Sequence, residues 1–284
     1  MRLDCVLTAT NDDPMYMDFI PIFVDAWKTL YPTTDVKVIL IGERIPDKFR
    51  HYEKHIILFP HIQGIPSASI SQYIRLLYPA ILDYEEGILI TDMDMLPMND
   101  TYYSEPIKNM DRDAFIHYTH YGVGLDQVGI CYNIARNATW AEIFGIRSTK
   151  DIEECLELVY KTYGIGTSCI MEQPHLRDCQ RVISAVAPRL KQWDHELAYW
   201  VTDQLHLYEY LQIWKAKTER IILLPPGEEF GKARLNRGRD DPHNPEVEQK
   251  VRFGYYADYH AYRPYQEYKE VNDHVLSLLK ASKN

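Results

Sequence analysis

The segment Ile88-Leu-Ile-Thr-Asp92-Met-Asp94-Met-Leu-Pro97 runs from an apolar stretch into two carboxylates at i and i+2. In extended backbone, residues two apart project to one face, so Asp92 and Asp94 are expected side by side. Two like charges so close repel unless a cation sits between them or one takes a proton. Hard divalent cations, Mg²⁺ or Mn²⁺, accept such oxygen ligands and complete their shell with substrate phosphates. The pair is therefore a candidate metal site for a phosphorylated substrate. On its own, the same pattern also serves as an acidic strand end before Pro97.

To present these carboxylates, Gly87–Thr91 must be a strand, and its unbroken apolar run fits a central strand covered on both faces. Leu3–Thr10, Val36–Ile41 and His55–Phe59 also read as strands. Asp18–Tyr31 carries Ile20, Phe23, Val24, Trp27, Leu30 and Tyr31 at helical spacing, with Pro21 in its first turn and Pro32 behind it. Serines 67, 69 and 71 offer caps for a helix with Ile70, Ile74, Leu77 and Ile81 on one face. Arg75 then falls on the polar face with Ser71 and Tyr78. This alternation predicts an α/β sheet with parallel strands, whose ligands gather at the strands' carboxyl ends.

Further strands are expected at Ala114–His120, Val128–Ile134 and Ile221–Leu224, and helices at Ala138–Phe144, Glu196–Lys215 and Gln266–Leu279. Residues 149–190 read as mostly helix. Pro225–Pro245, rich in Pro, Gly and charge, reads as a lid or flexible loop. With no repeat or linker, one domain over 1–284 is expected.

The 284 residues carry 31 basic and 41 acidic side chains, a formal net charge of -10. That balance lacks the basic footprint of a duplex-binding protein, so no nucleic acid partner is expected. It also means that an anionic substrate needs a metal or a local group of arginines. Five cysteines without C-x-x-C spacing predict reduced thiols and a cytoplasmic location. No apolar run approaches about 18 residues, and the chain opens in a strand-like run, so neither a transmembrane segment nor a secretory leader is expected.

Ser71-Gln-Tyr-Ile-Arg75-Leu-Leu-Tyr-Pro79-Ala-Ile-Leu, followed by Gly87–Asp94, resembles the GT-A fold nucleotide-sugar glycosyltransferases. It is most similar to the retaining family that includes glycogenin and bacterial lipopolysaccharide galactosyltransferases. The shared pattern is an Arg-bearing helix closed by proline, then an apolar strand into D-x-D. The resemblance implies a Rossmann-like, mixed, mostly parallel central sheet flanked by helices. It also implies metal-dependent hexosyl transfer from a nucleotide-diphosphate sugar, chiefly a UDP-sugar, to a carbohydrate or other hydroxyl acceptor, with retention. Residues 1–135 would be the nucleotide-sugar-binding half, 136–265 the acceptor side and C-terminal donor loop, and 266–284 a C-terminal helix.

Weaker matches extend the resemblance. Ala9-Thr10-Asn11-Asp12, with Tyr16, resembles the first-strand loop that holds base and ribose. Gln127-Val-Gly129-Ile-Cys-Tyr-Asn133 resembles a strand facing the donor sugar, where the family has Asn-Ser before the glycine. Asp203-Gln204 resembles a pair beside the anomeric carbon and acceptor. Asp258-Tyr-His260-Ala-Tyr-Arg263-Pro264-Tyr265 resembles a C-terminal motif with a metal-binding His and a base before proline. The family places that His six residues before the base; here the interval is three.

By resemblance, Asp92, Asp94 and His260 are the ligands of Mn²⁺ or Mg²⁺, with Asp258 next in line after His260. Thr8, Ala9, Thr10, Asn11, Tyr16, Ser71, Arg75, Asp92, Met93, Gln127 and Arg263 are the nucleotide-sugar contacts. Asp203, Gln204 and Arg75 are the catalytic groups, with Arg75 either donating to the diphosphate or bracing the aspartates. An inverting reaction would instead need a base, Asp203 or Glu196.

Two other enzyme classes fit poorly. Phosphatases of the haloacid dehalogenase type need Thr or Val where Leu96 stands. Sugar nucleotidyltransferases carry a glycine-rich basic loop that Thr8–Pro14 lacks. A non-catalytic nucleotide- or carbohydrate-binding protein on the same fold is the alternative.

Overall fold

The computed structural model describes residues 1–118, 126–164, 176–191, 195–225 and 232–281, with the side chains of 161–164 and 195–199 left out. Its first half follows the expected alternation: β1 (Leu3–Asn11), α1 (Pro14–Met17), α2 (Ile20–Leu30), β2 (Asp35–Ile41), β3 (Ile56–Phe59), α3 (Ser67–Leu77) and β4 (Gly87–Ile90). After β5 (Met95–Pro97) come β6 (Phe115–Tyr118), β7 (Asn133–Arg136), α4 (Asn137–Phe144), α5 (Thr149–Gly164), α6 (Arg177–Leu190) and α7 (His195–Lys215). The chain ends through β8 (Ile221–Leu224), β9 (Ala233–Asn236), α8 (Pro245–Arg252), β10 (Tyr256–His260) and α9 (Lys269–Ala281).

Among the described residues, the main sheet has seven strands in the order β3-β2-β1-β4-β7-β6-β8. The β1–β2, β1–β4, β2–β3 and β6–β8 pairs are parallel, and β7 runs antiparallel to both β4 and β6. The expected mixed, mostly parallel α/β sheet is observed. Leu89 of β4 enters one core with α2, α9 and the strands β5, β9 and β10. Ile88 and Ile90 enter the opposite core with α3 to α7. This two-sided burial is what the unbroken apolar run at 88–90 requires. A side chain at Gly87 would meet the Arg2 carbonyl at 2.9 Å and crowd Ile134, so only glycine fits where β4 begins.

Strand directions fix where chemistry collects. Because β1 and β4 are parallel, with Leu7 opposite Ile90, Ala9–Asn11 and Thr91–Asp94 emerge at the same edge. β7 is antiparallel with Asn133 opposite Ile90, so the residues just before Asn133 start at that edge.

A second, three-stranded sheet, β5-β10-β9, lies beside it. His260 pairs with Met95, one residue past Asp94, and with Asn236 of β9. The Ala261 N–H donates to the Asp94 carbonyl at 2.9 Å.

Several local expectations change. No serine caps α3: Pro66 holds the cap position, Ser71 donates to Ala68 O, and Ser67 Oγ accepts from Asn11 Nδ2. The strand expected over 128–134 begins only at Asn133, whose side chain binds the Gly129 and Ile130 carbonyls and folds the preceding residues into a turn. Part of the expected lid is β9, a built-in strand, while residues 226–231 of it lie outside the described residues. His120, at the end of the strand expected over 114–120, lies outside them too.

Candidate active site

At the shared edge, a cavity of 570 Å³ is lined by Ala9, Thr10 and Asn11 from the end of β1, by Tyr16 from α1, and by Ser71, Gln72 and Arg75 from α3. Asp92, Met93 and Asp94 border it after β4, with Trp200, Asp203 and Gln204 from α7, and Arg237, His260 and Arg263 from the second sheet. That volume lies within the range of about 300–1,000 Å³ usual for small-molecule sites. Of the residues expected to form the site, Thr8 and Gln127 fall outside this lining: Thr8 is fully buried within β1.

Arg75 departs from its expected place on a polar face. It is buried, donating to the Thr91 carbonyl at 3.1 Å, to Asp92 Oδ1, and to Asp203 Oδ2 at 3.5 Å. It thus braces Asp92 and Asp203, rather than the Asp92/Asp94 pair. Asp92 Oδ2 accepts from the Cys131 thiol at 2.8 Å, the outcome of the turn before β7. Packing opposes the Asp92 charge, but Arg75 and Cys131 outweigh it and hold the carboxyl below its ordinary pKa. The thiol moves the other way, raised by burial and by Asp92.

Asp203 has the opposite balance. It is 2% exposed, and burial outweighs Arg75 so that its pKa is pushed up to about 7. Gln72 Nε2 spans the Trp200 carbonyl at 2.8 Å and Asp203 Oδ1 at 3.4 Å, tying α3 to α7. Asp203 therefore titrates near neutrality while Asp92 stays ionised, the divergence expected of carboxylates with different tasks.

Around Asp94, basic side chains gather. Arg237 Nη1 donates to Asp94 Oδ2 at 2.6 Å, with His260 Nε2 at 3.5 Å and Arg263 Nη1 at 3.7 Å. The Arg263 guanidinium stacks between Tyr16, 5.0 Å from its ring, and Trp200 at 5.5 Å. Asp258 is not an open ligand: it is fully buried, doubly bound by Arg234 at 2.8 and 2.9 Å, and accepts from Tyr132 Oη at 2.8 Å.

The donor set suits a hard cation. His260 Nδ1 lies 3.0 Å from Asn236 Oδ1, which orients the ring and leaves Nε2 toward Asp94. No three His, Cys, Asp or Glu side chains among the described residues already converge as a closed cage. Mg²⁺-type sites do not require one, because one or two carboxylates plus substrate phosphates suffice.

Gln72, Trp200 and Arg237 were not legible as site residues. Trp200 fits the apolar repeat of α7 but is 53% exposed at the cavity rim. Arg237 sits in the Arg234-Leu-Asn-Arg-Gly-Arg239 cluster, the one signal that could have marked it in so acidic a chain. Glu196 lies among the side chains left out.

No family profile matches the chain, and no curated protein matches it. Solved structures similar to it include the galactosyltransferase LgtC in complex with donor and acceptor sugar analogs, at 10% identity and TM-score 0.46, over 96% of this chain and 95% of that one. The glycosyltransferase GlyE of Streptococcus pneumoniae is 12% identical with TM-score 0.46, over 98% of this chain and 63% of that one. The bifunctional glycosyltransferase WbbM is 11% identical with TM-score 0.36, over 98% of this chain and 51% of that one. No helix among the described residues is long and apolar enough to cross a membrane.

Proposed function

We propose that the chain is a GT-A glycosyltransferase that moves a hexosyl group from a UDP-sugar to a hydroxyl acceptor, a glycan, with retention of configuration. The observation carrying this reading is the convergence of the first-strand turn, D-x-D, Arg75, Asp203-Gln204, His260 and Arg263 on one cavity. A donor with a base, ribose, diphosphate and sugar needs contacts from several elements, as this lining provides. On this reading residues 1–135 supply the nucleotide-sugar half, 136–265 the acceptor side and donor loop, and 266–284 the C-terminal segment that carries α9. The ground for a reducing, cytoplasmic setting is the sequence's five cysteines without C-x-x-C spacing.

Ala9–Asn11 and Tyr16 border the nucleoside. Asp92 and Asp94, with His260 as third ligand, would hold Mn²⁺ or Mg²⁺, which would supply charge stabilisation to the leaving diphosphate. Arg263 offers its planar fork to phosphate oxygens, kept in place by Tyr16 and Trp200. Arg75 fixes Asp92. The Gln204 amide is the uncharged polar group beside the sugar, and Asp203 lies beneath as a proton-exchanging partner. The Asp203 pKa of about 7 also favours a second reading, inversion with Asp203 as base. The anomeric configuration of the product separates the two.

The test is UDP release from UDP-glucose, UDP-galactose and UDP-N-acetylglucosamine with Mn²⁺, beside thermal shifts with UDP. Metal-dependent binding with release supports the reading. Binding without transfer or hydrolysis favours the non-catalytic alternative. No binding of any sugar nucleotide overturns the donor assignment.

A further inference from the structure

Arg237 makes the shortest of the contacts to Asp94, yet no motif singled it out. It follows β9 directly and precedes Gly238, whose φ of 77° turns the chain. Its N–H donates to the His260 carbonyl at 3.2 Å, and Nη1 reaches both Asp94 Oδ2 at 2.6 Å and the Ala261 carbonyl at 2.5 Å. Arg237 and His260 are thus neighbours across β9 and β10 that converge on the same carboxylate oxygen.

The charges divide unevenly. Arg75 serves two carboxylates, Asp92 and Asp203, whereas Arg237 and Arg263 both face the single carboxylate of Asp94. The cavity as a whole is lined by three arginines and three aspartates, but its second-sheet side is short of negative charge. A divalent cation at Asp94 enlarges that deficit by two charges, the amount a diphosphate diester brings. While Arg237 holds Asp94 Oδ2, it competes with a metal for that oxygen. Once displaced, Arg237 needs an anion within reach of the same oxygen.

We infer that Arg237 is the resident counter-cation of Asp94, yielding the carboxylate to an incoming divalent metal and turning onto the diphosphate of the donor. This rests on the donor reading above and adds a diphosphate-binding residue and an order of events. Metal binds weakly to the nucleotide-free protein, because Arg237 competes for its ligand. A nucleotide diphosphate draws Arg237 away through paired hydrogen bonds and so tightens metal binding, and by linkage the metal tightens nucleotide binding by the same factor.

The experiment is calorimetry on the full chain with Mn²⁺ alone, UDP in EDTA, and UDP at saturating Mn²⁺, for wild type, Arg237→Gln and Arg237→Lys. Arg237→Gln is expected to tighten Mn²⁺ without nucleotide by about fivefold or more, the lower end of usual coupling factors, and to weaken UDP in EDTA by a similar factor. Arg237→Lys keeps the charge but loses the fork, so both effects are expected in smaller form. It carries the test if the Gln variant does not fold. Unchanged Mn²⁺ affinity, or unchanged UDP affinity, in a folded variant overturns the inference while wild-type UDP binding leaves the donor reading standing. A wild-type protein that binds no UDP with Mn²⁺ overturns both.

Discussion

Arg75 and Asp203 lie 128 positions apart in the chain and meet at 3.5 Å, with side chains 8% and 2% exposed. The arginine that the sequence assigns to a polar helix face is instead the bolt between α3, the end of β4 and α7. Removing one partner of a buried pair costs about 3–5 kcal/mol, because the other charge stays buried without compensation. Arg75→Met is therefore expected to destabilise the fold by an amount toward the lower end, since Asp92 is half-buried and can turn to water. Urea denaturation at pH 7 measures it. A loss below about 1 kcal/mol would remove Arg75 from its bracing role.

Asp203 gives the pH dependence a sign. Its carboxyl titrates at about 7 in the fold, against an ordinary aspartate value of 3.8. Between those values the folded chain binds the extra proton, so this stabilising contribution is full below 3.8 and lost as pH rises through 7. Melting temperature is expected to fall from pH 5 to pH 8 by more in the wild type than in Asp203→Asn. Equal slopes in the two proteins would show that Asp203 titrates elsewhere.

Metal dependence is expected to follow Asp94 and His260 together with the residue that orients the ring. Asp94→Asn is expected to reduce turnover by about 100-fold or more with the fold intact, on the scale of losing a charge-stabilising contact. Asn236→Ala touches no substrate, yet it frees the His260 ring and is expected to weaken Mn²⁺ affinity by about 10–100-fold. Mn²⁺ titrations followed by electron paramagnetic resonance read this directly. A Mn²⁺ affinity indifferent to both His260→Ala and Asn236→Ala would move the third ligand elsewhere.

EDTA is expected to weaken nucleotide binding strongly, because the cavity without metal has as many carboxylates as arginines. Thermal shift with UDP, with and without Mn²⁺, measures this. Tight UDP binding in EDTA would mean that Arg237 and Arg263 suffice for the diphosphate.

The sequence by itself determined the local layer of this protein. Apolar runs bounded by turn residues placed β1, β2, β3 and β4, and the period of Ile20 to Leu30 placed α2, because burial on one or both faces leaves a periodic trace. It also placed Asp92 and Asp94 at the end of a central strand. Tertiary structure alone decided what those carboxylates face. β5, β9 and β10 carry three to five residues each, with Arg234, Asp258 and His260 among them, too short and too charged for a strand pattern. Their pairing brings Asn236, Arg237 and His260 to Asp94 from more than 140 residues away. Its own helix gives Arg75 only the Gln72 carbonyl, at 3.2 Å. Only the approach of β4 and α7 supplies Asp92 and Asp203 and makes its burial affordable, and such long-range pairing of charge leaves no periodicity in the chain.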